Sequence, residues 1–191
     1  MYERMCDILA ERELGGYRLE YFEIKPGDWG AILRGIAPGK YVCLTHRGEV
    51  IMSDTDMEKR TNAEFVHRAH GKVLIGGLGI GLILLPAQQK SEVEKIVVLE
   101  KNQEVIDLVK DQLPLNEKVE IIKADVCDYV PTEKFNTIYL DIWDFINTNV
   151  YEESMKPLLA RYRKYLIPKA DDPDRYIDCW CKHQAKNGIR I

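Results

Sequence analysis

The chain has 191 residues and a formal net charge of −4, with 46% hydrophobic and 30% charged residues. This balance is typical of a soluble globular protein of ordinary domain size, and it excludes a disordered or membrane-embedded chain. No block of consecutive Lys and Arg is present, so neither a nucleic-acid partner nor an anionic membrane is indicated. The longest apolar run, residues 79–87, is far shorter than a membrane helix, and we expect an untargeted, cytoplasmic protein.

Residues 1–54 are predicted to form an N-terminal antiparallel β-meander. Alternating apolar and polar residues are interrupted by Pro-Gly and Arg-Gly turn signals, and the strand candidates are residues 17–24, 29–36, 40–46 and 49–53. A helix is expected next, from the capping candidates Ser53, Asp54 and Thr55 to just before Gly71.

Residues 55–191 show a different pattern, in which apolar strands alternate with helical segments. Strands rich in Val, Ile and Leu are expected from residues 72, 95, 119 and 135, and one more is expected around residues 175–181. Strands that are apolar on both faces indicate a parallel sheet covered by helices. We therefore predict an α/β fold with a Rossmann-like, doubly wound, mostly parallel sheet, preceded by the β-meander.

The cysteines and histidines do not indicate a metal site. Five cysteines include no Cys-x-x-Cys pair, so neither a disulfide framework nor a zinc site is expected. Cys179 and Cys181 alternate as strand residues do, which predicts that both thiols pack in the core on one face of the last strand. His67 and His70 lack a third ligand of matching spacing, so we expect solvated or capping side chains.

The first parallel strand runs into a glycine-rich turn in which Gly77, Gly79 and Gly81 form G-x-G-x-G. A dinucleotide fingerprint requires glycine where Leu82 stands, and the Gly-Lys-Ser/Thr ending of a P-loop is missing. In open parallel sheets, ligands bind beyond the carboxyl ends of the strands, where glycines allow a ligand to approach the backbone N–H groups. We predict that these three glycines bind a ligand other than NAD or FAD. The alternative is a tight turn without a ligand.

Acidic residues follow the second and third parallel strands at the same edge of the sheet. Glu100 ends the second strand, where a carboxylate can accept hydrogen bonds from both hydroxyls of a ribose. The alternative is a solvated glutamate ahead of the helix-capping Asn102. Asp125 follows the third strand and can accept from the amino group of adenine. Asp128 competes for this function, and either aspartate can cap the following turn instead.

The fourth strand ends with Asp141 and Asp144 on either side of Trp143. Two carboxylates on one loop can act as a general base, bind an amine or orient a nucleophile, so both are predicted to be catalytic. Asp141 is expected nearest to the reaction, because strand ends hold side chains rigidly. The Trp143 ring can stabilise a sulfonium by a cation–π contact, or it can simply pack in the core.

In this order, the segments V-L-I-G-G-L-G-I-G, V-V-L-E, A-D and Y-L-D resemble motifs of the class I S-adenosylmethionine-dependent methyltransferases, over roughly residues 55 to 166. Within that superfamily the chain looks most like the spermidine synthase branch, which has an N-terminal β-meander, a G-G-G-D-G loop and a D-x-x-D loop. The resemblance implies S-adenosylmethionine as the cofactor, with Glu100 on the ribose, Asp125 on adenine, and Asp141 beside the reacting centre.

Two features depart from the spermidine synthase pattern. Ile80 stands where that branch has the aspartate it uses near the aminopropyl amine. We also expect the long C-terminal part that the branch uses around the polyamine to be missing from this chain.

Three functions are compatible with the sequence. The first is a methyltransferase that acts on a small-molecule acceptor. The second is a spermidine synthase-like aminopropyltransferase that uses decarboxylated S-adenosylmethionine, with Asp141 deprotonating the amine. The third is a non-catalytic nucleoside-binding or interaction module, in which the N-terminal strands form the edge of a homodimer.

Overall fold

The computed structural model of the chain describes residues 2–189. The N-terminal strands are β1 (Arg12–Leu14), β2 (Tyr17–Ile24), β3 (Gly39–His46) and β4 (Glu49–Ser53). They form an antiparallel sheet in the order β1-β2-β3-β4, preceded by a 3₁₀ turn at Met5–Asp7. β1 and β4 are the edges of this small sheet, and a homodimer through these strands stays a prediction.

The predicted strand over residues 29–36 is wrong, because this segment contains a helix, α1 (Trp29–Leu33). The Asp28 carboxylate caps the helix by accepting a hydrogen bond from the Ala31 N–H at 3.0 Å. Such a cap favours a helical turn whatever the apolar pattern that follows it. The Trp29 side chain is 77% exposed, so the apolar residues here do not mark a buried face.

The second sheet has five strands: β5 (Gly71–Gly76), β6 (Val93–Glu100), β7 (Val119–Lys123), β8 (Thr137–Leu140) and β9 (Tyr176–Cys179). Their order is β7-β6-β5-β8-β9, and each neighbouring pair is parallel. The chain moves outward from β5 through β6 to β7 and then returns to the other side of β5 at β8. The strand order therefore reverses between β5 and β8, and this position is the switch point of a Rossmann-like sheet. The predicted fold class is confirmed.

Helices cover both faces of the parallel sheet: α2 (Asp56–Arg68), α3 (Leu84–Gln88), α4 (Gln103–Val109), α5 (Thr148–Val150), α6 (Lys156–Tyr162) and α7 (Lys182–Asn187). A π-helical turn, Tyr151–Met155, joins α5 to α6. Along β5, Val73 and Ile75 belong to one apolar cluster and Leu74 to another, as expected for a sheet buried on both faces. In the described part of the chain, no helix has the length and apolar character needed to cross a membrane.

The small sheet packs against one face of the parallel sheet. Leu19, Val42 and Leu44 belong to the same buried cluster as Phe65 of α2 and Val73 of β5. The two sheets therefore share part of one core, although a domain boundary at residue 54 stays a prediction.

Cys179 and Cys181 lie in different clusters, so the prediction that they share one face is wrong. Cys179 ends β9 and packs in the cluster of Tyr162, whereas Cys181 packs in the cluster of Phe65. The backbone of Cys181 has a φ of 50°, in the left-handed region, so the chain turns before strand alternation can continue. Both thiols are buried and free, as expected for core residues.

Candidate functional site

A cavity of about 350 Å³ lies where the loops that follow β5, β6, β7 and β8 meet. This is the carboxyl edge of the sheet, and the volume falls within the usual range for small-molecule sites. Most of the predicted site residues line this cavity: Gly77, Gly79, Glu100, Asp125, Asp141, Trp143 and Asp144.

Gly77 and Gly81 are required by contacts within the protein. Gly77 has a φ of 96°, and a Cβ there would overlap the backbone oxygen of Asp141. Gly81 has a φ of 78°, and a Cβ there would overlap the side chain of Leu113. Gly81 does not line the cavity, in contrast to its predicted function. Its close contact with Leu113 packs the glycine-rich turn against the segment that follows α4.

Gly79 lies beneath a residue of the small sheet. Its φ is 50°, and a Cβ there would overlap the Sδ atom of Met52 from β4. The N–H of Ile80 donates a hydrogen bond to the same sulfur at 3.2 Å, while the Ile80 side chain is fully buried. Met52 lines the cavity and was not singled out from the sequence, because a methionine in a strand looks like any core residue.

Three backbone donors of the glycine-rich turn make no hydrogen bond within residues 2–189. They are the N–H groups of Gly79, Leu82 and Ile83, and all three residues line the cavity. Backbone N–H groups are strong donors that normally find an acceptor. They are therefore available to an anionic ligand group such as a carboxylate.

Glu100 is buried and already holds the neighbouring turns. Its Oε2 accepts from the N–H of Leu78 at 3.0 Å, and its Oε1 accepts from the N–H and the Nδ2 of Asn102 at 2.8 and 3.1 Å. A carboxylate offers roughly four acceptor positions, so about one remains free. Binding of both ribose hydroxyls would require the Asn102 side chain to turn away.

Asp125 combines the two functions left open by the sequence. Its Oδ1 accepts from the N–H of Cys127 at 2.7 Å, which caps the turn after β7. It also lines the cavity, whereas its competitor Asp128 does not. The second oxygen, Oδ2, accepts no hydrogen bond from a backbone N–H of the described residues, so it is available to an amino group.

Asp141 is half-buried, and its carboxylate accepts no hydrogen bond from any residue between 2 and 189. Burial raises the pKa of Asp141 to about 7. A carboxyl group with this pKa can exchange a proton near neutral pH, as general acid–base catalysis requires.

A second buried carboxyl group, Glu58 in α2, lies near Asp141. Burial, and then the charge of Asp141, raise the pKa of Glu58 to about 8. Glu58 is 7% exposed, and its proximity to Asp141 depends on packing that the sequence does not reveal.

Trp143 both lines the cavity and packs in the core. Its Nε1 donates to the Oγ of Ser154 at 3.0 Å, which ties the loop after β8 to the π-helical turn. The ring also contacts both apolar clusters. Asp144 is exposed at the cavity edge, so the two predicted catalytic carboxylates have different surroundings.

The small sheet supplies one wall of the cavity, through Tyr17, Leu44, His46, Ile51 and Met52. The rings of Tyr17 and His46 are stacked with their centroids 4.3 Å apart. The lining contains four carboxylates and one lysine, Lys101. This excess of negative charge favours a cationic ligand.

The two histidines are solvated or capping, as predicted. His67 is exposed, and the Nδ1 of the half-buried His70 lies 2.8 Å from the carbonyl oxygen of Arg68, the last residue of α2. The Nε2 of His70 lies 2.9 Å from Asp172 Oδ2. Among residues 2–189, no three His, Cys, Asp or Glu side chains are grouped so that they could hold a metal ion.

Comparison with known proteins identifies the fold. No protein-family model and no curated protein matches the sequence. Among solved structures, spermidine synthase from Thermotoga maritima is 19% identical with a TM-score of 0.54, covering 82% of this chain and 53% of that one. A spermidine synthase in complex with the transition state analogue AdoDATO is 20% identical, with a TM-score of 0.51 and coverages of 82% and 52%. The N-methyltransferase NodS from Bradyrhizobium japonicum WM9 is 13% identical, with a TM-score of 0.46 and coverages of 58% and 63%.

The similarity to the two spermidine synthases shows the fold alone. The chain has a Rossmann-like fold that is similar to that of the solved spermidine synthases over 82% of its length. It spans about half the length of the solved spermidine synthases that it matches.

Proposed function

We propose that the protein is an S-adenosylmethionine-dependent methyltransferase that acts on a small-molecule acceptor. The observation that carries this proposal is the convergence of the glycine-rich turn, Glu100, Asp125 and Asp141 on one cavity at the switch point. Each of these groups comes from a different strand end, as in other Rossmann-like ligand sites.

The lining residues fit the parts of the cofactor. The free acceptor position of Glu100 suits a ribose hydroxyl, and Oδ2 of Asp125 suits the amino group of adenine. The unpaired N–H groups of Gly79, Leu82 and Ile83 suit the carboxylate of the methionine part. The excess of carboxylates in the lining favours the positively charged sulfonium.

The residues of the chain would mainly bind, orient and take a proton. The bound cofactor supplies a methyl group that is already activated by its positive sulfur. Orientation of the two reactants is worth up to roughly 7–11 kcal/mol, so few catalytic groups are needed. Asp141 would accept the proton of the attacking acceptor, for which a pKa of about 7 is suited. The Trp143 ring would stabilise the cation.

A second candidate is aminopropyl transfer from decarboxylated S-adenosylmethionine. It is supported by the fold shared with spermidine synthase over 82% of the chain. The unpaired N–H groups of Gly79, Leu82 and Ile83 support methyl transfer instead, because S-adenosylmethionine has a carboxylate for them and its decarboxylated form has none. The Ile80 side chain is buried in the core, so it offers no carboxylate to an aminopropyl amine.

Calorimetric titration tests these alternatives directly. We expect S-adenosylmethionine and S-adenosylhomocysteine to bind more tightly than decarboxylated S-adenosylmethionine, and NAD not to bind. Glu100→Gln should weaken binding, whereas Glu117→Gln, an exposed glutamate outside the lining, should not. Tighter binding of the decarboxylated form would favour aminopropyl transfer. Firm binding without turnover on any acceptor would favour the non-catalytic module.

A further inference from the structure

A second cavity, of about 220 Å³, lies against the outer strand β9 and is lined by helices α6 and α7. Four cationic side chains line it: Lys156, Arg163, Lys182 and Lys186. Nothing in the transfer reaction proposed above requires this cavity. None of its lining residues belongs to the first cavity.

Two of the four cations are not neutralised within residues 2–189. Lys156 pairs with Glu152 at 2.7 Å, and Lys182 pairs with Asp178 at 2.6 Å. Arg163 and Lys186 form no salt bridge with a described residue, so two positive charges are in excess around the cavity. Like charges that converge on a concave surface repel one another, and a bound anion removes that repulsion.

The remaining lining residues of the cavity are apolar or aromatic, and one of them begins an unusual backbone turn. Leu159, Ile177 and the half-buried Tyr151 complete its lining. Tyr151 begins the π-helical turn, and such turns within helices are frequent at functional sites. The same turn holds Trp143 of the first cavity through Ser154, so one turn contacts both cavities.

We propose that this second cavity binds the diphosphate group of a small ligand. An arginine fork and lysine ammonium groups are the side chains that recognise phosphate oxygens, by charge-assisted hydrogen bonds. Diphosphate can come from a nucleoside diphosphate or from inorganic pyrophosphate. The Tyr151 ring offers a surface on which the base of a nucleotide would stack.

The test is titration of the full chain with inorganic pyrophosphate at low ionic strength, because salt screens exposed charges. The double variant Arg163→Gln/Lys186→Gln should bind about tenfold more weakly or worse, since two charge-assisted contacts are lost. A matched control, Lys110→Gln/Lys123→Gln, removes the same charge near α4 and β7, at the opposite edge of the sheet, and should bind as the parent does. No binding to the parent protein, or equal losses in both variants, would overturn the proposal.

Two further measurements distinguish the source and the location of the ligand. Tighter binding of ADP than of pyrophosphate, lost in Tyr151→Ala, would identify a nucleotide, and equal binding would identify the inorganic anion. Saturating S-adenosylhomocysteine should leave pyrophosphate bound, whereas displacement would place the anion in the first cavity and refute the second site. Affinity for single-stranded oligonucleotides that rises steadily with their length would also refute it, because the positive charge would then serve a nucleic-acid backbone.

Discussion

The backbone N–H of Ile80 donates a hydrogen bond to the sulfur of Met52 at 3.2 Å. This contact joins the glycine-rich turn of the parallel sheet to the last strand of the small sheet. The small sheet therefore contributes to the candidate site, and its side chains form one wall of the cavity.

Met52→Leu tests this contact, because it keeps an apolar side chain of similar size and removes the acceptor. We expect a loss of about 1 kcal/mol in the free energy of unfolding, since the Ile80 N–H is left without a partner. S-adenosylhomocysteine should also bind more weakly. Met57→Leu is the control, because Met57 is half-buried against the same core cluster and its sulfur accepts no hydrogen bond from a described residue. Equal effects in chemical denaturation would show that the sulfur contact is unimportant.

Gly79→Ala should weaken cofactor binding and lower stability together. The new Cβ would overlap Met52, and a φ of 50° adds backbone strain of about 1–2 kcal/mol. Gly27→Ala introduces backbone strain of the same kind, at a φ of 87°, with no atom within 4 Å of the new Cβ. The difference between the two variants in melting temperature and in calorimetric affinity isolates the overlap at the cavity. Equal melting temperatures and equal affinities in the two variants would show that Gly79 does not contribute to the site.

Asp141→Asn should reduce turnover by roughly 10²–10⁴-fold, the usual effect of removing a general base, with a much smaller change in cofactor affinity. It should also stabilise the protein above pH 7. The pKa of Asp141 is raised from 3.8 to about 7, so the folded state binds the extra proton between these values and stability falls as the pH rises through that window. Asp144→Asn is the control for stability, because Asp144 is exposed. Parent-like turnover in Asp141→Asn would exclude the catalytic function.

Glu58→Gln tests the buried carboxyl behind Asp141. Burial, and then the charge of Asp141, raise the pKa of Glu58 from 4.5 to about 8, so the folded protein loses stability as the pH rises between these values. The variant should therefore unfold at a higher denaturant concentration than the parent at pH 9, and the gain should shrink at pH 4. Glu64→Gln, on the exposed side of the same helix, should show no such gain. A pH-independent effect would mean that Glu58 does not titrate in this range.

The pair of His70 and Asp172 should stabilise the fold at acidic pH. Burial lowers the pKa of His70, but the acceptors at the Arg68 carbonyl and Asp172 raise it by more, and the net pKa lies above 6.5. This stabilisation is fully present below pH 6.5 and is lost as the pH rises through the folded-state pKa. His70→Gln should therefore reduce the change in stability measured between pH 6 and pH 9, whereas exposed His67→Gln should leave it unchanged.

Patterns within short segments of the sequence correctly predicted the fold class and most of the strand ends that carry the site. The apolar runs at β5, β6 and β8 are short, bounded by turns and buried on both faces, so their pattern reports the parallel sheet. Glu100 ends β6, Asp141 follows β8 directly, and Asp125 lies two residues after β7. Parallel strands end at the same edge, so their meeting at one cavity is a consequence of the fold class.

Local signals failed where a cap or a turn overrides the pattern. Asp28 starts a helix within residues 29–36, and the left-handed backbone at Cys181 ends the alternation that begins at Cys179. In both places a single hydrogen bond or dihedral angle outweighs hydrophobic periodicity, because neither segment lies in the interior of a sheet.

The contacts between distant segments could come only from the folded chain. These contacts join residues on different elements. Met52 lies over Gly79, Glu58 lies near Asp141, and four cations converge beside β9. Each of these residues, read alone, is an ordinary core or surface side chain. Their proximity depends on how the small sheet and the helices pack on the parallel sheet, and side-chain packing between distant elements leaves no periodic trace in the sequence.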